Sequence, residues 1–332
     1  MQGGRAAERL AEGVVAEGRR RGQPRSIGLS AVIIAAASYD PRVLTIRVDG
    51  AEALPSGPLE AEHRTLEIGL RNWVERQTSE HLGYVEQLYT FGDRDRVSAG
   101  MAAPALVVAY LALVREAAPA GPVDAAWQSW YRYVPWEDWR DGRPALLAPI
   151  EERLERWATT AQTDAQRRLR EERIGLAFGL GGASWNEELV LERYELLYEA
   201  GLVAEAERDL GQPAERLDGT AGAEMAVDHR RILATAIGRL RGKIKYRPVV
   251  FELMPPAFTL LQLQRTVEAL SGVKLHKQNF RRLVEQQGLV EETGSMSAAT
   301  GGRPARLVRF RREVLLERPA PGLRLRAGRR VS

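Results

Sequence analysis

The N-terminal third of the chain combines extended apolar runs with one stretch of helical spacing. Residues 27–36 and 43–48 are apolar runs of strand length. Between residues 65 and 80, apolar side chains recur three or four positions apart, which is the spacing of one helix face. They are Leu66, Leu70, Trp73 and Val74. Two further apolar runs, YVEQLYTF and PALVVAYLALV, follow, and this order predicts a layered α+β domain.

The middle of the chain has two distinct patterns. Four of the seven tryptophans lie between Val123 and Pro144, a density that favours an inter-domain or dimer contact over a ligand-stacking surface. Residues 146–226 are rich in Glu, Arg and Leu and predict a helical insert or dimerisation segment that ends in a linker. The glycine-rich GLGGAS within it lacks a lysine and follows a helix-like stretch, so it does not predict a phosphate-binding loop.

The last hundred residues predict a winged helix-turn-helix. A basic amphipathic helix begins at Ile232, and a second helix begins at Thr259, a favourable N-cap, and ends at Gly272. After the short turn VKLH, the segment KQNFRRLVEQQGL predicts a third helix. A strand, a Gly-rich loop and a returning strand complete the order of a winged helix-turn-helix.

Charge is distributed very unevenly along the chain. The net charge is +4, but residues 228–332 contain 22 Lys and Arg against 8 Asp and Glu, a net charge of +14. The other 227 residues carry −10. A basic C-terminal module on an otherwise acidic chain favours nucleic-acid binding. A winged helix that binds another protein through its basic face remains the alternative.

The donors needed for DNA recognition are concentrated in the third helix and the wing. Base edges in the major groove are read by Arg, Lys, Asn and Gln, and phosphates by basic side chains. The candidate contacts are Thr259, Gln262, Lys277, Gln278, Asn279, Arg281, Arg282, Arg303 and Arg306. Asn279 has the alternative of a buried or capping role. The lack of interleaved aromatic residues favours double-stranded DNA over RNA.

Several classes of site are disfavoured by composition. The chain has no cysteine, which excludes disulfides and thiolate chemistry and fits a cytoplasmic protein. Its four histidines are scattered, so a histidine metal site is not expected. No apolar run reaches the roughly 18 residues of a membrane span, and we expect no membrane partner. Basic residues followed by an apolar run near the N-terminus are also typical of a signal peptide, but a β-hairpin explains this region better.

Four segments of the chain carry a family resemblance. They are YVEQLYTFGDRDR, PALVVAYLALV, ILATAIGRLRGKIKYRPVVFELMPPAFTLLQLQRTVEALSGVKLHKQNFRRLVEQQGLVEETG and GGRPARLVRF. Together they resemble the Nudix-related transcriptional regulators, most closely the branch of alphaproteobacterial NAD-biosynthesis regulators. The resemblance covers residues 84–114 and 232–310. It implies an α+β multidomain fold in which a Nudix-like α/β/α sandwich and a helical insert precede a C-terminal winged helix-turn-helix. It also implies control of NAD-synthesis and salvage genes, with ADP-ribose or NAD as effector and no cofactor.

The helix at residues 65–80 aligns with the Nudix motif of this family, in which helix carboxylates bind a divalent metal ion. Gly57 falls on the motif glycine, and Arg71 and Glu75 fall on an arginine and a glutamate of the motif. Positions that hold carboxylates in the motif are occupied by His63, Asn72 and Arg76. We therefore expect no catalytic residues, no metal site and no enzyme activity, and we expect Arg71 and Glu75 to contact the effector. A pair that only stabilises the helix is the alternative for these two residues. A hydrolase with metal ligands elsewhere, such as Glu60, Glu62 or Glu67, is the alternative.

The expected organisation has five parts. Residues 1–24 form an N-terminal helix or tail, 25–145 the Nudix-like sensor, 146–226 the helical insert with its linker, 227–315 the winged helix and 316–332 a basic tail. The expected protein is a homodimeric repressor that binds a palindromic operator, since two-fold dimers recognise two-fold sites.

Overall fold

The structure, a computed structural model, describes residues 27–37, 39–92, 106–116, 124–210, 221–297, 304–317, 321–323 and 329–330. The N-terminal helix or tail expected at residues 1–24 lies outside the described residues. No helix in the described ranges is long and apolar enough to cross a membrane.

A seven-stranded sheet forms the centre of the N-terminal half. The strands are β1 (Ile27–Ala37), β2 (Asp40–Val48), β3 (Ala51–Ala53), β4 (Ser56–Pro58), β5 (Tyr84–Phe91), β6 (Leu106–Leu113) and β7 (Ala125–Ser129). The main path runs β3-β2-β1-β6-β5, while β4 pairs with β1 and β7 pairs with β2. The β1 and β6 strands are parallel, with Ile27 opposite Leu106 and Ile34 opposite Leu113, and the remaining pairs in this sheet are antiparallel.

The predicted amphipathic helix is α1 (Leu66–Thr78), and it covers one face of the sheet. Its buried Leu70 and Val74 pack with Leu29 and Ile33, which point to the same side of β1 because strand side chains alternate. The helix ends at Ser79, which has the left-handed conformation (φ 58°).

Helices cover the opposite face of the sheet. The insert contains α2 (Leu147–Thr159), α3 (Asp164–Phe178), the short strand β8 (Ser184–Trp185), α4 (Val190–Glu199) and α5 (Ala204–Leu210). The C-terminal module contains α6 (His229–Tyr246), α7 (Leu260–Ser271), α8 (Lys277–Gln287), β9 (Val290–Ser297), β10 (Ala305–Phe310), α9 (Val314–Glu317) and β11 (Arg329–Arg330), with short 3₁₀ turns at Trp130–Arg132, Pro135–Glu137 and Val249–Leu253.

One hydrophobic core joins the sheet, the insert and the C-terminal module. Val32 of β1, Phe178 of α3, Ile237 of α6 and Leu263 of α7 are all completely buried in it. Removal of apolar side chains from water is the main stabilising contribution to folding. The expected boundaries near residues 145 and 226 therefore do not separate independent cores.

Parts of the predicted C-terminal tail are packed. Leu323 is fully buried, and its N–H donates to the Ile244 carbonyl of α6 at 3.0 Å. Further on, β11 pairs with β8 of the insert. The expectation of a tail over 316–332 is corrected at these positions, because apolar burial and strand pairing anchor them.

Candidate functional site

The first helix of the helix-turn-helix is α7, and it begins with a reciprocal cap. The Thr259 hydroxyl accepts a hydrogen bond from the Gln262 N–H at 3.2 Å, and the Gln262 side chain accepts one from the Thr259 N–H at 2.7 Å. Such a capping box satisfies amide donors that a helix start leaves free. Thr259 is only 5% exposed. The Thr259 hydroxyl therefore serves as a cap and its DNA contact stays a prediction, while Gln262 is exposed.

The recognition helix is α8. It buries Phe280 and Val284 in the core. The polar candidates lie on its exposed side, and they are Lys277, Gln278, Asn279, Arg281 and Arg282. Across the described ranges, no hydrogen bond or ion pair engages Lys277, Gln278 or Arg281. Asn279 is exposed, with its Oδ1 3.4 Å from Nη2 of Arg282, so it is neither buried nor the cap of this helix.

The wing consists of antiparallel β9 and β10. Arg306 lies on its exposed surface, where Nη1 is 2.6 Å from a carboxylate oxygen of Glu292 on the neighbouring strand. Arg303 lies outside the described residues. The sequence did not predict that Phe258 would pair with Val308, through hydrogen bonds of 2.8 and 2.9 Å, and so tie the start of α7 to the wing.

Residues 124–144 contain the tryptophan-rich stretch and are called the aromatic segment. This segment lies between the sheet and the C-terminal module. Trp130 and Trp136 are 0% exposed, and Trp139 packs on Trp185 of β8 with ring centroids 4.5 Å apart. The inter-domain contact favoured by the sequence is thus what the structure contains. Shared burial fixes the segment against both neighbours.

A buried network of ionic side chains crosses the same junction. Glu137 in the aromatic segment accepts from Arg193 of α4 and from Arg241 of α6, and all three side chains are at most 1% exposed. Nearby, Glu205 of α5 pairs with Arg230 of α6 at 3.1 Å. Buried charges require such pairing because their desolvation is costly. The sequence did not reveal these pairs because their partners are far apart along the chain.

In the Nudix-like region, Arg71 joins α1 to the following loop. Its guanidinium donates to Glu67 one turn earlier and to the carbonyls of Leu82 and Gly83. Glu75 is exposed, with one carboxylate oxygen 3.5 Å from Nδ1 of His81. Arg71 thus has a structural role in holding this loop, and within the described residues no hydrogen bond or ion pair joins it to Glu75.

Of the remaining motif positions, His63 and Arg76 form a separate cluster around Glu60, and Asn72 is exposed. The His63 side chain is 3% exposed and lies 3.4 Å from the Glu60 carboxylate, which also accepts from Arg76 at 2.9 Å. The Arg76 guanidinium stacks 4.1 Å from the Trp73 ring centroid. A Cβ at Gly57 would lie 2.2 Å from that ring, so the motif glycine provides space for the tryptophan.

The carboxylates proposed as alternative metal ligands are divided between different partners. Glu60 pairs with Arg76, Glu67 pairs with Arg71 at 2.8 Å, and Glu62 is exposed. Over the described part of the chain, no group of three or more His, Asp or Glu side chains is arranged to hold a metal ion.

The sheet with α1 on one face and the helix-turn-helix followed by a wing define a Nudix-fold domain joined to a winged-helix domain, the architecture of the Nudix-related transcriptional regulators. Residues 250–310 match the family model described as the NrtR DNA-binding winged helix domain. The predicted fold class and the resemblance to these regulators are confirmed. The alphaproteobacterial branch stays a prediction.

The chain is 44% identical over 87 residues to a protein named ADPR responsive transcriptional repressor NtrR from Acinetobacter baylyi (strain ATCC 33305 / BD413 / ADP1). The match covers 26% of this chain and 34% of that relative, so the chain spans about a third of the relative's length.

Two solved structures share the overall fold. Shewanella oneidensis NrtR, crystallised with a 27mer DNA, aligns with 87% of this chain and 94% of its own, with a TM-score of 0.53 and 20% identity. A MutT/nudix family protein from Enterococcus faecalis aligns with 91% of this chain and 93% of its own, with a TM-score of 0.51 and 16% identity.

Proposed function

We propose that this chain is a transcriptional repressor that binds double-stranded DNA through α8 and the wing. The observation that carries the proposal is the exposed row of donors on α8, within residues that match a DNA-binding winged helix. Lys277, Gln278 and Arg281 are exposed, and donors of this kind can bond base edges in the major groove. The net charge of +14 over residues 228–332 supplies attraction to phosphate.

The Nudix-like domain is the proposed sensor, and ADP-ribose is the proposed effector. The name of the Acinetobacter relative, an ADPR responsive repressor, supports this assignment. An effector shifts DNA affinity only if it binds two arrangements of the protein differently, and such coupling is typically ~1–3 kcal/mol. The proposed targets are NAD-synthesis and salvage genes. The proposed working form is a cytoplasmic homodimer on a palindromic operator.

The proposed sensor acts without hydrolysing its ligand. His63 is buried against Glu60, and Arg76 places a cation beside the same carboxylate, an arrangement that disfavours a divalent metal ion. The alternative is a Nudix-type hydrolase with other ligands. Incubation with ADP-ribose and Mg²⁺ separates the two, because AMP release at an enzyme-like rate would establish the hydrolase. The sensor should bind ADP-ribose equally well in EDTA.

The experiment that tests the repressor is capture of sheared genomic DNA from the source organism by the purified full-length chain. We expect enrichment of one palindromic motif upstream of NAD-synthesis genes, and loss of binding with rising salt as counterions are released. Absence of any enriched motif, with and without ADP-ribose, would contradict sequence-specific binding. The protein-interaction alternative would then stand.

A further inference from the structure

The C-terminal end of α7 receives hydrogen bonds from outside the winged helix. The last carbonyl groups of a helix have no partner within the helix. Here the Tyr131 hydroxyl donates to the Ala269 carbonyl at 2.7 Å, and Nε of Arg241 donates to the Leu270 carbonyl at 3.0 Å. The Trp139 N–H donates to the Gly272 carbonyl at 2.7 Å. The aromatic segment and α6 therefore cap the helix that precedes the recognition helix.

The contact is close and its donors are fixed. Gly272 has φ +73°, and a Cβ there would lie 2.4 Å from the Glu137 carbonyl oxygen, so the chain passes directly over the aromatic segment. Tyr131 is 7% exposed. Arg241 also bonds the buried Glu137 carboxylate at 2.5 Å. Packing and pairing thus restrict both side-chain donors to one geometry.

The turn that follows transmits this geometry to α8. Only Val273–His276 separate Gly272 from the first residue of α8. The Glu268 carboxylate accepts from the Leu275 N–H at 2.8 Å, and Gln264 donates to the Leu275 carbonyl at 2.9 Å. Since the turn is bonded back to α7, the group that holds the end of α7 also sets the direction of α8.

We propose that Tyr131 is a positioning residue for DNA recognition, in which its hydroxyl fixes the end of α7 and so the orientation of α8 without touching DNA. The inference rests on the proposed function and deepens it by assigning a residue of the aromatic segment to operator binding. The hydroxyl is the part of this contact that a substitution can remove alone, because the Trp139 donor is backbone and Arg241 also neutralises Glu137.

The chain offers a closely matched control two residues away. Tyr133 is 0% exposed, and its hydroxyl donates to the Glu52 carboxylate of β3 at 2.9 Å. Tyr131→Phe and Tyr133→Phe each remove one buried hydroxyl from the aromatic segment, and with it the bond to Ala269 or to Glu52. The Tyr131 bond reaches α7, whereas the Tyr133 bond stays within the Nudix-like region.

The test compares the two full-length variants with the wild type in operator binding and in amide hydrogen exchange over residues 271–280. We expect Tyr131→Phe to weaken operator binding about threefold to tenfold, the effect of losing one hydrogen bond, with an unchanged salt slope because no phosphate contact is lost. Exchange over residues 271–280 should be faster in this variant. Tyr133→Phe should leave operator affinity and exchange in this segment at wild-type values.

Equal effects of the two variants on affinity, or wild-type exchange over residues 271–280 in Tyr131→Phe, would overturn the positioning role. A wild-type protein that binds no DNA motif would instead contradict the proposed function. The exchange comparison would still decide whether Tyr131 orders the turn before α8.

Discussion

The carboxylate of Glu137 lies 2.5 Å from Nη1 of Arg241, and both side chains are at most 1% exposed. Arg193 approaches the other carboxylate oxygen at 2.5 Å, so one buried anion is shared between two buried cations. The three residues come from the aromatic segment, α6 and α4. Their mutual attraction and their hydrogen bonds offset the cost of removing the charges from water, and all three must be present for this to hold.

Glu137→Gln should therefore destabilise the whole protein. The substitution leaves Arg193 and Arg241 close together in the core without a counter-charge, and breaking a buried pair in this way costs about 3–5 kcal/mol. Urea denaturation of wild type and variant, followed by tryptophan fluorescence, measures the difference in the free energy of unfolding.

The control for that experiment is Glu199→Gln. Glu199 pairs with Arg173 at 2.6 Å, but both side chains are more than a third exposed. Exposed pairs contribute about 0.2–1 kcal/mol. Equal losses in the two variants would show that burial does not increase the contribution of the Glu137 network.

Folding stability should fall in mild acid because of His229. Its Nδ1 accepts a hydrogen bond from the Leu54 N–H at 3.0 Å, and burial, with the charge of Arg208, lowers the pKa of His229 from 6.5 to about 4. The unfolded chain then binds more protons than the folded chain between these values. Neutral His229 therefore contributes fully to the free energy of unfolding above pH 6.5. This contribution, about 3 kcal/mol, is lost as the pH falls toward 4.

The measurement is the free energy of unfolding between pH 7.5 and 4.5 for wild type and His229→Gln. Glutamine can accept the same hydrogen bond but does not titrate in this range. The wild-type curve should be the steeper one. Parallel curves would mean that other groups cause the acid sensitivity.

Arg281→Ala should relax base preference at the operator. Arg281 is exposed on α8 and unengaged within the described ranges, and an arginine that pairs with guanine contributes ~1–3 kcal/mol of discrimination. Competition binding against operators changed at single positions measures this effect. An unchanged preference at every position would refute the assignment.

Arg306→Ala should weaken binding to all DNA sequences alike. The Arg306 side chain is 72% exposed on the wing, and its pairing with the exposed Glu292 is weak enough for phosphate to replace it. A lost phosphate contact flattens the dependence of log K on log salt by about one unit. A loss confined to the operator would indicate a base contact instead.

Local patterns in the sequence were sufficient for much of the fold. Helical spacing located α1, and the N-cap at Thr259 with the stop at Gly272 located α7. The short strands β3 and β4 were not predicted because three residues carry too little periodicity. Thr259 was placed among the DNA contacts because a sequence does not show whether a threonine at a helix start caps it or faces a partner.

The sequence by itself determined the order of helices and wing in the C-terminal module, the positive charge of that module and the replacement of motif carboxylates by His63, Asn72 and Arg76, since these depend on residue type and spacing. Only the tertiary structure decided that the modules share one core and that Glu137, Arg193 and Arg241 meet. It also decided that Tyr131 caps α7. Such contacts join residues up to 138 positions apart, and they arise from the packing of whole elements, which no local pattern encodes.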